Sequence, residues 1–192
     1  MARATVESSD DRLTSERYFG LVAEGVLRPE DRVELLEGVV VAMSPQNPPH
    51  AAAVSRADIA LRRAVRERAA VRVQMPVVLT ERSVPEPDLA VVPGREADYD
   101  RAHPTTALLV IEVADSSLAQ DRITKTRIYA AAEIPEMWIL NLRDDCVEVF
   151  RDPDATNRRY QSTRVAQRGE RLDLVSFPEA SVAVDELLPR HE

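Results

Sequence analysis

The sequence predicts one α/β domain, and three observations point to it. Strand-length apolar runs such as "LLVIEVA" and "MWILNL" alternate with longer amphipathic stretches of helical period. No repeat, low-complexity block or linker divides the 192 residues, a length that suits one domain with a real core better than two. After the last helical stretch the chain turns to short strand-like runs, which reads as an antiparallel meander at the C-terminal end. The expected architecture is a mixed β-sheet flanked by helices.

Residues 1–12 are polar and read as a flexible N-terminus, leaving 13–192 as the domain. "LTSERYFGLVAEGVL" reads as a helix. Thr14 or Ser15 is its N-cap, Leu13, Tyr18, Leu21 and Val22 share a face, and Gly25 stops it. "DRVELLEGVVVAMSP" reads as a β-hairpin from Val33 to Leu36 and from Val39 to Met43, turning at Glu37-Gly38. Pro45, Pro48 and Pro49 mark a loop. The longest helix follows over 50–70, with Val54, Ala57, Ile59, Leu61 and Val65 toward the core and arginines outside.

"VRVQMPVVL" reads as a strand and "PEPDLAVV" as a second, entered through prolines that stiffen its approach. A charged loop over 93–106 leads to the strand beginning at Leu108. "AQDRITKTRIYAAAEIP" is helical and closed by Pro135, and "MWILNL" is the next strand. "CVEVFRD", "RRYQSTRVA" and "RLDLVS" make the meander, while "SVAVDELLP" adds a strand or a last helical turn.

Composition narrows the function. The net charge of −8 argues against a protein that coats nucleic acid with a basic surface. It leaves room for a nuclease, whose metal-binding acids add to the same total. His50, His103 and His191 lie far apart and, with a single cysteine, Cys146, make no zinc spacing. One cysteine forms no internal disulfide and suits a reducing compartment. With no signal-peptide core and no apolar run of membrane length, a cytoplasmic protein is expected. Of the 25 basic residues only one, Lys125, is lysine. Codon bias accounts for most of the arginine excess, but not for the exception. Lysine is a compact charge whose pKa can be tuned, so position 125 is a candidate site.

Glu112 poses the sharpest question, because it interrupts an apolar strand where an ionised carboxylate needs a partner. Asp88 sits just before another apolar strand, and Glu34 lies between apolar neighbours in the hairpin. Carboxylates converging at strand positions suit hard divalent cations. Asp121, Lys125 and Tyr129 are spaced i, i+4, i+8, which puts them on nearly one helix face. A metal, two or three acidic ligands and a lysine suggest phosphodiester hydrolysis. Each residue also has a plainer reading. Asp88 can be a turn residue, Asp121 and Lys125 a solvated pair, and Glu34 a surface residue. His50 reads as structural rather than catalytic, and Trp138 and Tyr129 as core or interface aromatics.

Several ordered motifs resemble the Uma-two-type restriction endonuclease family: "RVELLEGVVVAMSP" followed by His50, "EPDLAVV", "LLVIEVADSSLAQDR", Lys125 with Tyr129, and "IPEMWILNL". The resemblance covers about Leu13 to Leu188. It implies a restriction-endonuclease-like fold of the PD-(D/E)XK superfamily, with Asp88 and Glu112 as ligands of Mg2+ or Mn2+. The superfamily pattern places a lysine two residues after the glutamate, where this chain has Ala114. The family carries a lysine on the following helix, which Lys125 matches, and an acidic residue in the first hairpin, which Glu34 matches. The chain departs from the family at Ile123 and Glu133, where glycines are usual, and at Asn141, where an aspartate is usual.

The implied activity is a divalent-metal-dependent DNA endonuclease, with DNA as partner and a homodimer as the working form. Two other readings stand beside it: a non-catalytic oligomeric module that keeps the scaffold, and a hydrolase of a small phosphorylated molecule. Arg56, Arg62, Arg63, Arg66 and Arg68 are the nearest approach to a phosphate-contacting face, or else a solvated helix surface.

Overall fold

The computed structural model describes residues 12–115 and 118–190. The expected flexible N-terminus falls, apart from Arg12, outside them. Six strands form the central sheet in the order β3-β4-β5-β6-β7-β8. They are β3 (Ala69–Val73), β4 (Leu89–Pro93), β5 (Leu109–Ala114), β6 (Glu136–Asn141), β7 (Cys146–Asp154) and β8 (Arg159–Ala166). Only β5 and β6 pair in parallel, so the sheet is mixed, as the sequence predicts.

A parallel pair needs a crossover. Here it is α3 (Leu118–Gln120), a π-helix over Asp121–Lys125, and α4 (Thr126–Ala131). Alternation along the strands then sorts side chains to two faces. Leu109, Ile111, Val113, Trp138 and Leu140 pack with α2 (Pro48–Val65) and α5 (Val184–Leu187) on one face. Val110, Ala114, Met137 and Ile139 pack with Tyr129 and Ala130 of α4 on the other. Glu112 shares the parity of this second set. Its side chain therefore points toward the crossover.

The hairpin forms as expected, from β1 (Val33–Leu36) and β2 (Val39–Ala42). Its turn is fixed at Glu37, which Arg127 and Arg158 clasp, and at Gly38. Gly38 has φ +81, and an added Cβ would come within 2.5 Å of the Arg12 Cβ. Gly38→Ala is expected to cost about 1–3 kcal/mol. A thermal melt should show it as a drop of roughly 2–4 °C per kcal/mol. An unchanged melting temperature would mean that the turn relaxes freely.

Several expectations need correction. The first helix, α1 (Ser15–Ala23), buries Tyr18 but leaves Val22 43% exposed. The long helix begins at Pro48, because Asn47 caps it and prolines are well suited to its first turn. It ends at Val65, and residues 66–68 form a short 3-10 turn. Ile59, expected in the core, is 63% exposed. The strand expected through residue 79 stops at Val73, where Gln74 takes a left-handed φ of +50. The meander is shorter than expected. β9 (Arg171–Leu174) leaves the sheet and pairs only with β10 (Phe177–Ala183), and the tail supplies both a strand and the final helical turn.

Candidate active site

Strand register builds the site. The β4–β5 ladder pairs Leu89 with Ile111, so its next step sets Asp88 opposite Glu112. The β3–β4 ladder pairs Val73 with Leu89, which sets Gln74 opposite Asp88. Three polar residues thus stand in a row across three strand ends. Side-chain bonds lock the row: Gln74 Nε2 donates to Asp88 Oδ1 at 3.0 Å, and the Val113 amide donates to Asp88 Oδ2 at 2.8 Å.

Two further elements close over this row. From the crossover, Lys125 Nζ lies 3.1 Å from both Glu112 Oε1 and Glu34 Oε1. Tyr129 Oη donates to Glu112 Oε1 at 2.6 Å. From β1 comes Glu34, whose Oε2 accepts the Glu86 amide at 3.0 Å. Asp121, Lys125 and Tyr129 are all buried. They share one face, as their spacing predicts, although the turn that presents them is π rather than α. Such turns recur at functional sites.

His50, which reads as structural in the sequence, lines the same cavity as Glu112 and Lys125. It stands on the first turn of α2, where its amide donates to the capping Asn47 side chain at 3.0 Å. Asn47 Nδ2 in turn donates to Asp115 Oδ2 at 2.7 Å, tying the helix to the end of β5. His50 Nε2 comes 3.2 Å from Asp88 Oδ2, and its Nδ1 is buried without a hydrogen-bond partner. The Asn-Pro-Pro helix start was the signal that could have located it. Gln74 and Glu86 carried no comparable signal.

Electrostatics set the charge state of each group. Burial pushes the Glu112 carboxyl well above the ordinary range; Lys125 pulls it down, but Asp121, Asp88 and Glu34 add to the rise. For Lys125, burial opposes the charged form, yet Glu112, Glu34 and Asp121 outweigh it and raise its pKa. The lysine is a fixed cation at neutral pH. Burial also opposes ionisation of Asp88, but bonds and attraction from His50, with Gln74 and the Val113 amide, hold it below the usual range. Glu86 is raised by burial and by Glu34, against the attraction of Lys125 and Arg32.

Five carboxyl groups, from Glu34, Glu86, Asp88, Glu112 and Asp121, line a cavity of about 60 Å³ together with Lys125, Arg32 and His50. Hard divalent cations prefer such oxygen donors. The volume has room for an ion with a few waters. Five carboxyl groups face one lysine, one arginine and one histidine around this cavity. Among the described residues no three donors are already drawn together as a ligand set. Lys125 bridges Glu34 and Glu112 instead. The chemistry of the acids thus fits a divalent ion.

The arginines of the long helix are largely engaged elsewhere. Arg56 donates to the Asp185 carbonyl at 2.6 Å. Arg62 pairs with Asp58 and Glu96, Arg63 with Glu186, and Arg68 with Glu179. The three family departures are each accommodated. Glu133 takes the left-handed φ of +56 where a glycine would be usual, Asn141 is buried and donates to Glu148 and Asp144, and Ile123 projects outward.

The model of the Uma2 family, described as "Putative restriction endonuclease", matches residues 16–185. Among solved structures, the chain is similar to "a putative nuclease belonging to DUF820 from Anabaena variabilis ATCC 29413". The identity is 17% and the TM-score 0.70, covering 91% of this chain and 97% of that one, which supports the shared fold. No curated protein matches the sequence. Among the described residues no helix is long and apolar enough to cross a membrane.

Proposed function

Because the chain belongs to the Uma2 family of restriction-endonuclease-like proteins, we propose that it is a divalent-metal-dependent DNA endonuclease. The observation that carries this reading is the sole lysine held 3.1 Å from two buried glutamates, beside the Gln74–Asp88–Glu112 row. Asp88 and Glu112 would hold Mg2+ or Mn2+. When bound, the ion polarises the phosphoryl oxygen and acidifies a water.

The chain's own residues do the rest. Lys125 is held charged, so it donates hydrogen bonds to the attacking water or to the developing negative charge, rather than accepting a proton. Tyr129 and Lys125 orient Glu112, while His50, Gln74 and the Val113 amide orient Asp88. Glu34 anchors Lys125 from the hairpin side. A homodimer would let both strands be cut, and a cytoplasmic setting fits the single free cysteine.

Isothermal titration of manganese into the wild type and into Glu112→Ala tests the reading, followed by plasmid nicking on the same samples. The expected result is one site in the wild type, its loss in the variant, and nicking that needs both the metal and Glu112. A wild type that binds no manganese would overturn it.

The net charge of −8 and the paired arginines of α2 and of the turn after it favour a second reading, a hydrolase of a small phosphorylated molecule. Salt dependence separates the two. Phosphate contacts along DNA make affinity fall steeply with salt, whereas a small-molecule enzyme would show no DNA binding to lose.

A further inference from the structure

A second cavity, of about 430 Å³, adjoins the acidic one. Arg32, Met43 and Glu86 line both, so the two share a wall. The Gln74 side chain, bonded to Asp88, forms another part of that boundary. The small cavity is polar and holds the carboxylates. Its neighbour has an apolar floor from Val22, Leu27 and Val33, and its volume lies within the roughly 300–1,000 Å³ of small-molecule sites.

Two arginines, Arg28 and Arg32, also line this cavity, and both are exposed. Among the described residues neither side chain makes a hydrogen bond or ion pair. This contrasts with the paired arginines of α2. Arg32 and Gln74 also hold left-handed backbone, with φ of +45 and +50. Both line this cavity, and six other described non-glycine residues share that backbone region elsewhere in the chain.

We propose that the side cavity receives the unpaired base next to the phosphate held at Lys125, so that the substrate is single-stranded or locally opened nucleic acid. The inference rests on the nuclease reading of the adjoining cleft. The apolar floor accepts the face of a base, which is sequence-tolerant because every base has one. Gln74 and Glu86 supply polar atoms for its edge, and Arg28 and Arg32 supply charge for the neighbouring phosphates. A base stacked within a duplex cannot enter a side cavity, so pairing must be broken first.

The test is fluorescence titration of the full chain, in calcium, with a short single strand carrying one 2-aminopurine, and with its blunt duplex. Saturable binding is expected, about tenfold tighter for the single strand, and weakened about tenfold by the double variant Val22→Glu with Arg28→Glu. Arg32→Gly removes a guanidinium while relieving left-handed backbone. It should therefore keep its melting temperature and still lose binding, which a purely structural role would not produce. Duplex bound as tightly as single strand, or wild-type binding by both variants, would overturn the proposal. If the strand binds as expected but wild type with manganese cuts nothing, the nuclease reading fails and the base site stands. If wild type and both variants cut blunt duplex with manganese as fast as wild type cuts the single strand, the base site fails and the nuclease reading stands.

Discussion

Lys125→Met is expected to lower the nicking rate by about 10²–10³ and to cost about 3–5 kcal/mol of stability at neutral pH. Both effects come from the same contacts. The ammonium lies 3.1 Å from two buried carboxylates, and methionine leaves them uncompensated. The pH dependence follows from Glu112. Its folded pKa lies above the ordinary carboxylate value, so the folded state holds the proton more tightly than the unfolded chain does. Stability from that group is present below the unfolded pKa and is lost as pH rises through the folded one. Without Lys125 the folded value rises further. The deficit of the variant should therefore be largest at neutral pH and shrink on mild acidification. Adding Glu112→Gln should restore part of the stability and none of the activity, because Glu34 stays buried without its cation. Urea denaturation at neutral and mildly acidic pH measures this, and an equal deficit at both would contradict the assigned charges.

Trp138→Ala is expected to cost about 3–5 kcal/mol. Trp138 is wholly buried at the centre of the sheet, paired with Ile111 of β5 and Val149 of β7. Its indole Nε1 also donates to Glu136 Oε1 at 2.9 Å. Trp138→Phe keeps most of the bulk and removes that donor, while Glu136 retains Arg151 and the Val175 amide. Its cost should be nearer the roughly 1–3 kcal/mol of a lost buried hydrogen bond. Chemical denaturation of the two variants separates packing from hydrogen bonding. Equal losses would mean that the hydrogen bond, not the bulk, carries the residue's contribution.

These two residues also mark how much the sequence disclosed. A carboxylate inside an apolar run and a lone lysine among arginines are anomalies visible in one dimension, and the structure brings Glu112 and Lys125 together. Asp88 was legible because prolines and an apolar strand bracket it. Glu34 looked like a residue on the outer face of a hairpin and is instead buried against Lys125. Its partner lies 91 positions away, the difference between 125 and 34, and no local period encodes such a meeting. His50 reads as structural because its partner Asp88 is 38 positions away, the difference between 88 and 50, and only the helix start at Pro48 aims it there. The spacing of Ile59 and Val22 points inward, but both are exposed, because an apolar residue at helical period need not face a neighbour. Gln74 ended its strand early because its backbone turned left-handed, which no propensity for glutamine predicts.

The π-helix over Asp121–Lys125 has a consequence for how such a site can arise and be lost. A π turn differs from an α turn by one extra residue in the hydrogen-bond ladder. Deleting exposed Ile123 would rewind the segment into an α turn and shorten the step from Asp121 to the lysine from four residues to three. The reach of Lys125 to the acids would change with every chemical group of the site still encoded. Conversely, a single inserted codon in an ordinary helix can deliver a cation to carboxylates that substitution alone would never reach. Gain and loss of this chemistry can therefore proceed through chain length, leaving residue identity untouched.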